Sequence, residues 1–453
     1  MHLNPKFPLF ILFMLSAVHP VTAQEVPLHL DGLKAHADSL FSPWNEETPG
    51  ATVALFKAGE PVFEASYGTA DLQWAIPTSG DTVYMLASVS KQFTAWAIAT
   101  LAVQGRIDLD ADVRTVIPEM HAFDPPVTIR HLVHHTSGLR DEFDLLGMAG
   151  WRMDDVTLHE HILGLAYAQR TLNFEPGNAY SYSNTGYTLM AEIVHRVSGQ
   201  TLGEWLQENV FGPLEMKDSH IHESYTEIDA RAAQGYEPNG EGGYRKQLLV
   251  YENKGSTGMF STVGDLATWA HALNRKQIGE EGTWELAHTR GMLTSGDTLA
   301  YAFGQSLNTL YGHARVSHSG WHRGFRTVLM RFPDDDLTMV VLANTNSLNP
   351  SEMAEKLLHH VFAPDADSLR TYAGVYHSDE LGSTFDVSLT NGTLTATHAR
   401  NSPFTMTWSD PDMFSTSAWY FDTIRFVRNH AGSVVGFEGT TDRARKVLFT
   451  RIE

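Results

Sequence analysis

Ser88-Val89-Ser90-Lys91 opens a segment that runs to Gln104, in which Phe93, Ile98 and Leu101 fall near one face of a helix. Gly105 is a natural stop for that helix. Residues i and i+3 of a helix share a face, so Ser88 and Lys91 point the same way. A serine hydroxyl is a poor nucleophile until a base comes within hydrogen-bond reach. In the first turn, Ser88 also sits at the positive end of the helix dipole. That field and desolvation both disfavour Lys91 as a cation and leave its amine able to act as a base. The tetrapeptide alone is weak, because about one Ser-x-x-Lys arises by chance in a chain of this length. An N-cap serine beside a surface lysine is the alternative reading, so the rest of the chain must supply the weight.

Working outward, Ala51–Phe56 and Pro61–Ser66 are β-rich runs around Lys57-Ala58-Gly59-Glu60, which predicts an early hairpin. The middle, to about residue 290, reads as mostly helical with long loops. Thr262-Val263-Gly264-Asp265 marks a capped helix start there. Strand patterns return at Ala314–Ser317, Phe325–Phe332 and Leu337–Ala343, the last two joined by a Pro333-Asp334 turn. Asn349-Pro350 then opens a helix, with Asn as N-cap and Pro in the first turn. Strands at both ends of residues 24–362 predict one discontinuous α/β unit. They also place the start of the Ser88 helix close to the late strands.

Two further motifs carry chemistry. Tyr182-Ser183-Asn184 offers a phenol that can shuttle a proton beside an ammonium, and an amide that can bond substrate. Tyr251-Glu252-Asn253 matches the same pattern. His318-Ser319-Gly320 closes a strand, and its Gly permits close backbone approach to a substrate. The next amide, that of Trp321, could face a developing oxyanion together with the Ser88 amide. His322-Arg323-Gly324 and His430-Ala431-Gly432 are its rivals.

In this order the three motifs make the chain resemble the penicillin-recognising serine hydrolases. The closest branch holds class C β-lactamases, their esterase relatives, D-aminopeptidases and CubicO-type peptidases. His134-His135-Thr136-Ser137-Gly138-Leu139, Gly105-Arg106-Ile107-Asp108-Leu109 and Gly258-Met259-Phe260-Ser261-Thr262 are similar to family segments as well. The resemblance implies a β-lactamase/penicillin-binding-protein-like antiparallel sheet flanked by helices, with an all-α subdomain. It implies Ser88 as acylated nucleophile, Lys91 as its base and Tyr182 as proton-transfer partner. Asn184, Gly320 and Trp321 become substrate-binding positions, Trp321 through its amide. His318 joins the catalytic set where many relatives carry the Lys of Lys-Thr-Gly. A histidine there is neutral or weakly charged near neutral pH. Ester or peptide hydrolysis is therefore expected over strong β-lactamase activity. Arg323 and Arg326 are the candidates to replace the missing cation.

Composition narrows the class further. Of 453 residues, 42% are apolar and 19% charged, which permits a large core. Net charge is -21, with 32 Lys+Arg against 53 Asp+Glu, which argues against nucleic acid and anionic membrane surfaces as partners. Cysteine is absent, so thiol catalysis and Cys-ligated metals are excluded. The 23 histidines include His131/His134, His159/His161 and His220/His222, none in a His-Glu-x-x-His arrangement. No metal or other cofactor is expected.

Residues 1–23 read as an export signal: Lys6, an apolar run from Phe7 to Val18, and Val21-Thr22-Ala23 before Gln24. A periplasmic or secreted product follows, with no membrane association after cleavage. Beyond Ala363-Pro364-Asp365 the pattern changes to hairpins, at Asp386–Thr397 around Asn391-Gly392 and at Thr423–Phe437. Residues 366–453 are expected to form a small antiparallel β-barrel of the lipocalin-like kind that some relatives append. The substrate expected is a small ester, amide or peptide. A slow-turnover peptidoglycan-peptide or penicillin binder on the same fold is the alternative.

Overall fold

The computed structural model describes residues 28–452 apart from 391. The expected export signal and Asn391 of the Asn-Gly turn lie outside the described residues. The early hairpin is β1 (Ala51–Lys57) and β2 (Glu60–Tyr67), turning at Ala58 and Gly59, both at positive φ as a two-residue hairpin turn requires. The late strands are β3 (Ser306–Leu310), β4 (His313–His322), β5 (Phe325–Phe332) and β6 (Leu337–Ala343). They join the hairpin in one antiparallel sheet ordered β3-β4-β5-β6-β1-β2, with Ala51 opposite Ala343. The sheet is thus built from both ends of this part of the chain. β4 is longer than the apolar pattern predicted. β3 went unread because a mostly polar edge strand carries little apolar signal.

Both faces of the sheet are covered, which is why every residue of β6 is buried. Ala54 and Phe56 of β1 face the cluster around α2 (Lys91–Val103) and α4 (Val263–Asn274). Ala51, Val53 and Leu55 face α1 (Leu33–Phe41) and α5 (Pro350–Phe362). The interior helix α2 is buried on all sides from Lys91 to Leu101, as an almost uniformly apolar helix must be. Beside it lies α3 (Asn184–Ser198). The caps fall where expected: Thr262 accepts from the Asp265 amide at 3.2 Å and Asn349 from the Glu352 amide at 3.4 Å.

After the short helix Ala366–Arg370, eight antiparallel strands close a barrel between Gly374–Ser378 and Val447–Arg451. Phe385, Phe404, Phe414, Phe426, Phe437 and Phe449 are buried in it, so its interior is a packed aromatic core. That core is continuous with the α1/α5 face of the sheet. His359 Nε2 bonds to the Trp408 carbonyl at 2.8 Å, and Tyr311 packs on the Trp408 ring. Among the described residues, no helix is long and apolar enough to cross a membrane.

Candidate active site

Ser88 does not start an α-helix directly. It lies in a 3₁₀ turn, Ala87–Ser90, which runs into α2 at Lys91. Side chains at i and i+3 of a 3₁₀ turn eclipse, and Lys91 Nζ comes 3.1 Å from Ser88 Oγ. Ala87, just before the serine, has φ 51°, a left-handed conformation that non-glycine residues adopt at a cost. Strand β4 passes directly over this turn. A Cβ on Gly320 would stand 2.3 Å from Thr327 Oγ1 and 2.4 Å from the Leu86 carbonyl oxygen, so only glycine fits. Thr327 Oγ1 in turn donates to that carbonyl at 2.7 Å, tying β5 to the serine's turn.

Lys91 is fully buried. Its amine donates to Asn184 Oδ1 and to the Ser256 carbonyl, each at 2.8 Å. Burial pushes it down to about 7, against the opposing pull of Glu142 and Asp141. Tyr182 leads into α3, its ring centroid 4.9 Å from Lys91 Nζ. Its ring lines the cleft and is 37% exposed, yet desolvation around the phenol raises its pKa, opposed by a hydrogen bond to Ser88. Asn184 is the first residue of α3. Asp141 accepts from both its backbone amide, at 2.7 Å, and its Nδ2, at 2.9 Å, which aims Oδ1 at Lys91.

His318 reaches the same cleft, but both ring nitrogens are engaged. Nδ1 meets the Ser319 carbonyl at 2.6 Å, and Nε2 meets the Tyr301 hydroxyl at 3.1 Å. Burial, with the Lys91 charge nearby, holds its pKa down to about 3. The ring is therefore neutral near pH 7, with no free nitrogen for direct proton transfer; its place is in the cleft wall. Trp321 is 58% exposed, its indole donating to Asn346 Oδ1 at 3.2 Å.

The cavity above Ser88 has a volume of about 680 Å³. Phe143, Met153 and Trp321 supply apolar wall, and Arg323 and Arg326 line it as well. The Nε of each arginine is buried without a hydrogen-bond partner among the described residues. Arg323 stands at φ 43° in the β4–β5 turn, where Asn or Gly is the usual choice. Its identity is thus not explained by the turn. Met153 comes from the segment 139–172, whose Arg152 pairs with Asp154 at 2.9 Å.

The rival motifs sort themselves. His430 lies in the barrel, between Thr423–Arg428 and Val434–Thr440. His322 lines the cavity, 5% exposed. Tyr251 and Asn253 do not meet Ser88; both donate to Glu142. The histidine pairs serve local structure: His131 and His161 complete helix starts, and His220 stacks on His222. Among the described residues, no three His, Asp or Glu side chains gather as metal ligands. Sequence reasoning missed Asp141 and Glu142. Only their place directly after the Gly138-Leu139-Arg140 stretch could have drawn attention to them.

The beta-lactamase family model matches residues 37–363. The chain belongs to the beta-lactamase family. Within it, this beta-lactamase-family chain is 28% identical over 348 residues to a D-aminopeptidase of Brucella anthropi, covering 75% of the chain and 65% of that protein. It is 27% identical over 296 residues to a D-aminopeptidase of Gluconobacter oxydans (strain 621H), covering 65% and 56%. The chain thus spans less than two thirds of the length of these relatives. The structure of the octameric penicillin-binding protein homologue from Pyrococcus abyssi superposes with a TM-score of 0.66 at 22% identity, over 93% of this chain and all of that one. That coverage takes in the barrel as well as the beta-lactamase-family part.

Proposed function

We propose that this protein is an exported serine hydrolase that cleaves small amides, peptides or esters through an acyl-enzyme on Ser88. The observation that carries this reading is the 3.1 Å approach of the buried Lys91 amine to Ser88 Oγ at the floor of an open cavity. Neutral Lys91 accepts the Ser88 proton as Oγ bonds to the substrate carbonyl carbon. The Ser88 and Trp321 amides are the candidate donors to the oxyanion. Lys91 returns that proton to the leaving nitrogen or oxygen, directly or relayed through Tyr182, as the scissile bond breaks. Water then attacks the ester carbonyl as Lys91 accepts its proton, and Lys91 passes that proton to Ser88 Oγ as the ester bond breaks, which frees the acid and restores the serine.

The D-aminopeptidase relatives favour amides of D-amino acids as substrates, and the neutral His318 in place of a lysine disfavours β-lactams. The export reading rests on residues 1–23. The test is hydrolysis of p-nitrophenyl esters, D-amino-acid amides and nitrocefin by the parent chain and Ser88→Ala, with mass spectrometry of the adduct. The expected result is a loss of at least about 10³-fold in kcat and an acyl mass on Ser88. Undiminished hydrolysis by Ser88→Ala would refute the mechanism. Stable labelling without turnover would instead make the protein a binder.

A further inference from the structure

Beneath Lys91 lies a second titratable group that the mechanism above does not use. Glu142 is 0% exposed and, among the described residues, has no cationic side chain bonded to it. Its Oε2 accepts from Thr188 Oγ1 at 2.7 Å. Its Oε1 accepts from the Tyr251 hydroxyl at 2.9 Å, from Ser256 Oγ at 3.2 Å and from Asn253 Nδ2. Burying a carboxylate without a cation is costly, even with four donors.

Thr188 makes the arrangement tolerant of a proton. Its Oγ1 also lies 2.9 Å from Asn253 Oδ1. With Glu142 ionised, the threonine hydroxyl donates to Oε2. With Oε2 protonated, the acid donates to Thr188, and the hydroxyl turns to Asn253 Oδ1. No bond at Oε2 is lost on protonation, and the Thr188 hydroxyl gains Asn253 Oδ1 as acceptor, with one rotor turned. Ser256 links the two titrating groups: its hydroxyl meets Glu142, and its carbonyl meets Lys91 Nζ.

We propose that Glu142 is a positioning residue for Lys91: a buried carboxyl that gains or loses a proton in place and so sets how much uncharged amine the site holds. This rests on the Ser88 hydrolase reading. One proton is shared by the pair. It resides on Lys91 as ammonium beside carboxylate, or on Glu142 as acid beside free amine. The second form receives the Ser88 proton during attack.

The groups facing the pair are few. Asp141 and Tyr251 face Glu142 along with Lys91. Asp141, Tyr182 and Tyr187 face Lys91, as do His135, His318 and His322, which burial keeps neutral. Burial and then Asp141 raise Glu142 to about 7, the range to which burial lowers Lys91. The two titrations therefore overlap and belong to the pair.

The test is the pH profile of kcat/KM for a neutral ester, measured on the full chain and on Glu142→Gln. The amide copies the protonated carboxyl and removes its charge. The acidic limb is expected to move to lower pH by about one unit, because an opposing charge beside Lys91 is gone. A limb that stays in place overturns the assignment. Infrared difference spectra of the parent chain give a reading that needs no variant. A buried protonated carboxyl titrating near neutrality is expected, and its absence at pH 5 overturns the assignment. Fluorophosphonate labelling separates the two levels. Failure to label Ser88 overturns the hydrolase reading and this inference together, whereas labelling with an unmoved limb overturns the Glu142 role alone.

Discussion

Asp141 holds Asn184 by both of its nitrogens, the backbone amide at 2.7 Å and the side-chain amide at 2.9 Å. An amide side chain can flip. With its Nδ2 fixed, Asn184 can present only Oδ1 to Lys91. Asp141→Ala frees that flip. The expected result is a fall in kcat of roughly 10- to 100-fold with little change in KM, as when a group that orients a catalytic partner is lost. Steady-state kinetics on one amide and one ester check this. A pure KM effect would mean that Asp141 contacts substrate instead.

The acidic limb of the parent chain follows from Lys91. Burial lowers this amine to about 7, and only the uncharged form accepts the Ser88 proton. kcat/KM for a neutral ester should therefore rise with pH through about 7 and level off above it. A profile still flat at pH 5, or a limb near 10, contradicts this. Stability carries the same sign. Between about 7 and the ordinary lysine range, the unfolded chain binds more protons at this group than the folded one. Its contribution to stability thus rises with pH across that window. Urea midpoints of Lys91→Met relative to the parent should drift downward as pH is raised from 7 to 10.

Gly320 is a steric prediction. A Cβ there meets Thr327 Oγ1 at 2.3 Å and the Leu86 carbonyl at 2.4 Å. Gly320→Ala must push β4 away from the turn that carries Ser88. A loss of roughly 1–3 kcal/mol in stability is expected, with a larger proportional loss of kcat. Thermal unfolding and ester kinetics read the two together. Full activity in the variant would show that β4 need not approach so closely.

Arg323 and Arg326 are expected to select substrate by charge, since each keeps a buried Nε in the cavity wall without a partner among the described residues. Arg326→Ala should raise KM for peptides with a free carboxylate by about 10-fold, a charged hydrogen bond being worth roughly 1.5–3 kcal/mol. KM for the matching carboxamides should stay level. Equal effects on both would assign Arg326 to packing on Trp321, over which its guanidinium lies at 5.3 Å.

The sheet and the motif-bearing turns were legible where local chemistry is strong. β5 and β6 were read at their observed limits because two apolar runs flank a Pro-Asp turn. The serine's helix, the Thr262 and Asn349 caps and the change to hairpins beyond residue 365 were legible for similar reasons. β3 was not, because Ser306–Leu310 is a half-exposed edge with no clear alternation. Glu142 was not, because an acid's burial depends on partners far along the chain, here Thr188, Tyr251, Asn253 and Ser256. Tyr251-Glu252-Asn253 and Tyr182-Ser183-Asn184 are equivalent as strings. Tertiary packing alone separates the copy beside Lys91 from the copy that holds Glu142.

The pairing of Ala51 with Ala343 also sets an order of events. β1 is made early, yet its inner neighbour is β6, the last strand of the sheet. Closing so long a loop costs entropy before any contact compensates, and chains of high contact order fold slowly. Until β6 arrives, β1 shows an unpaired apolar edge, open to pairing with another chain. A fragment ending before Leu337 should therefore aggregate rather than form a smaller enzyme, even though Ser88, Lys91, Tyr182 and Asn184 are all present in it.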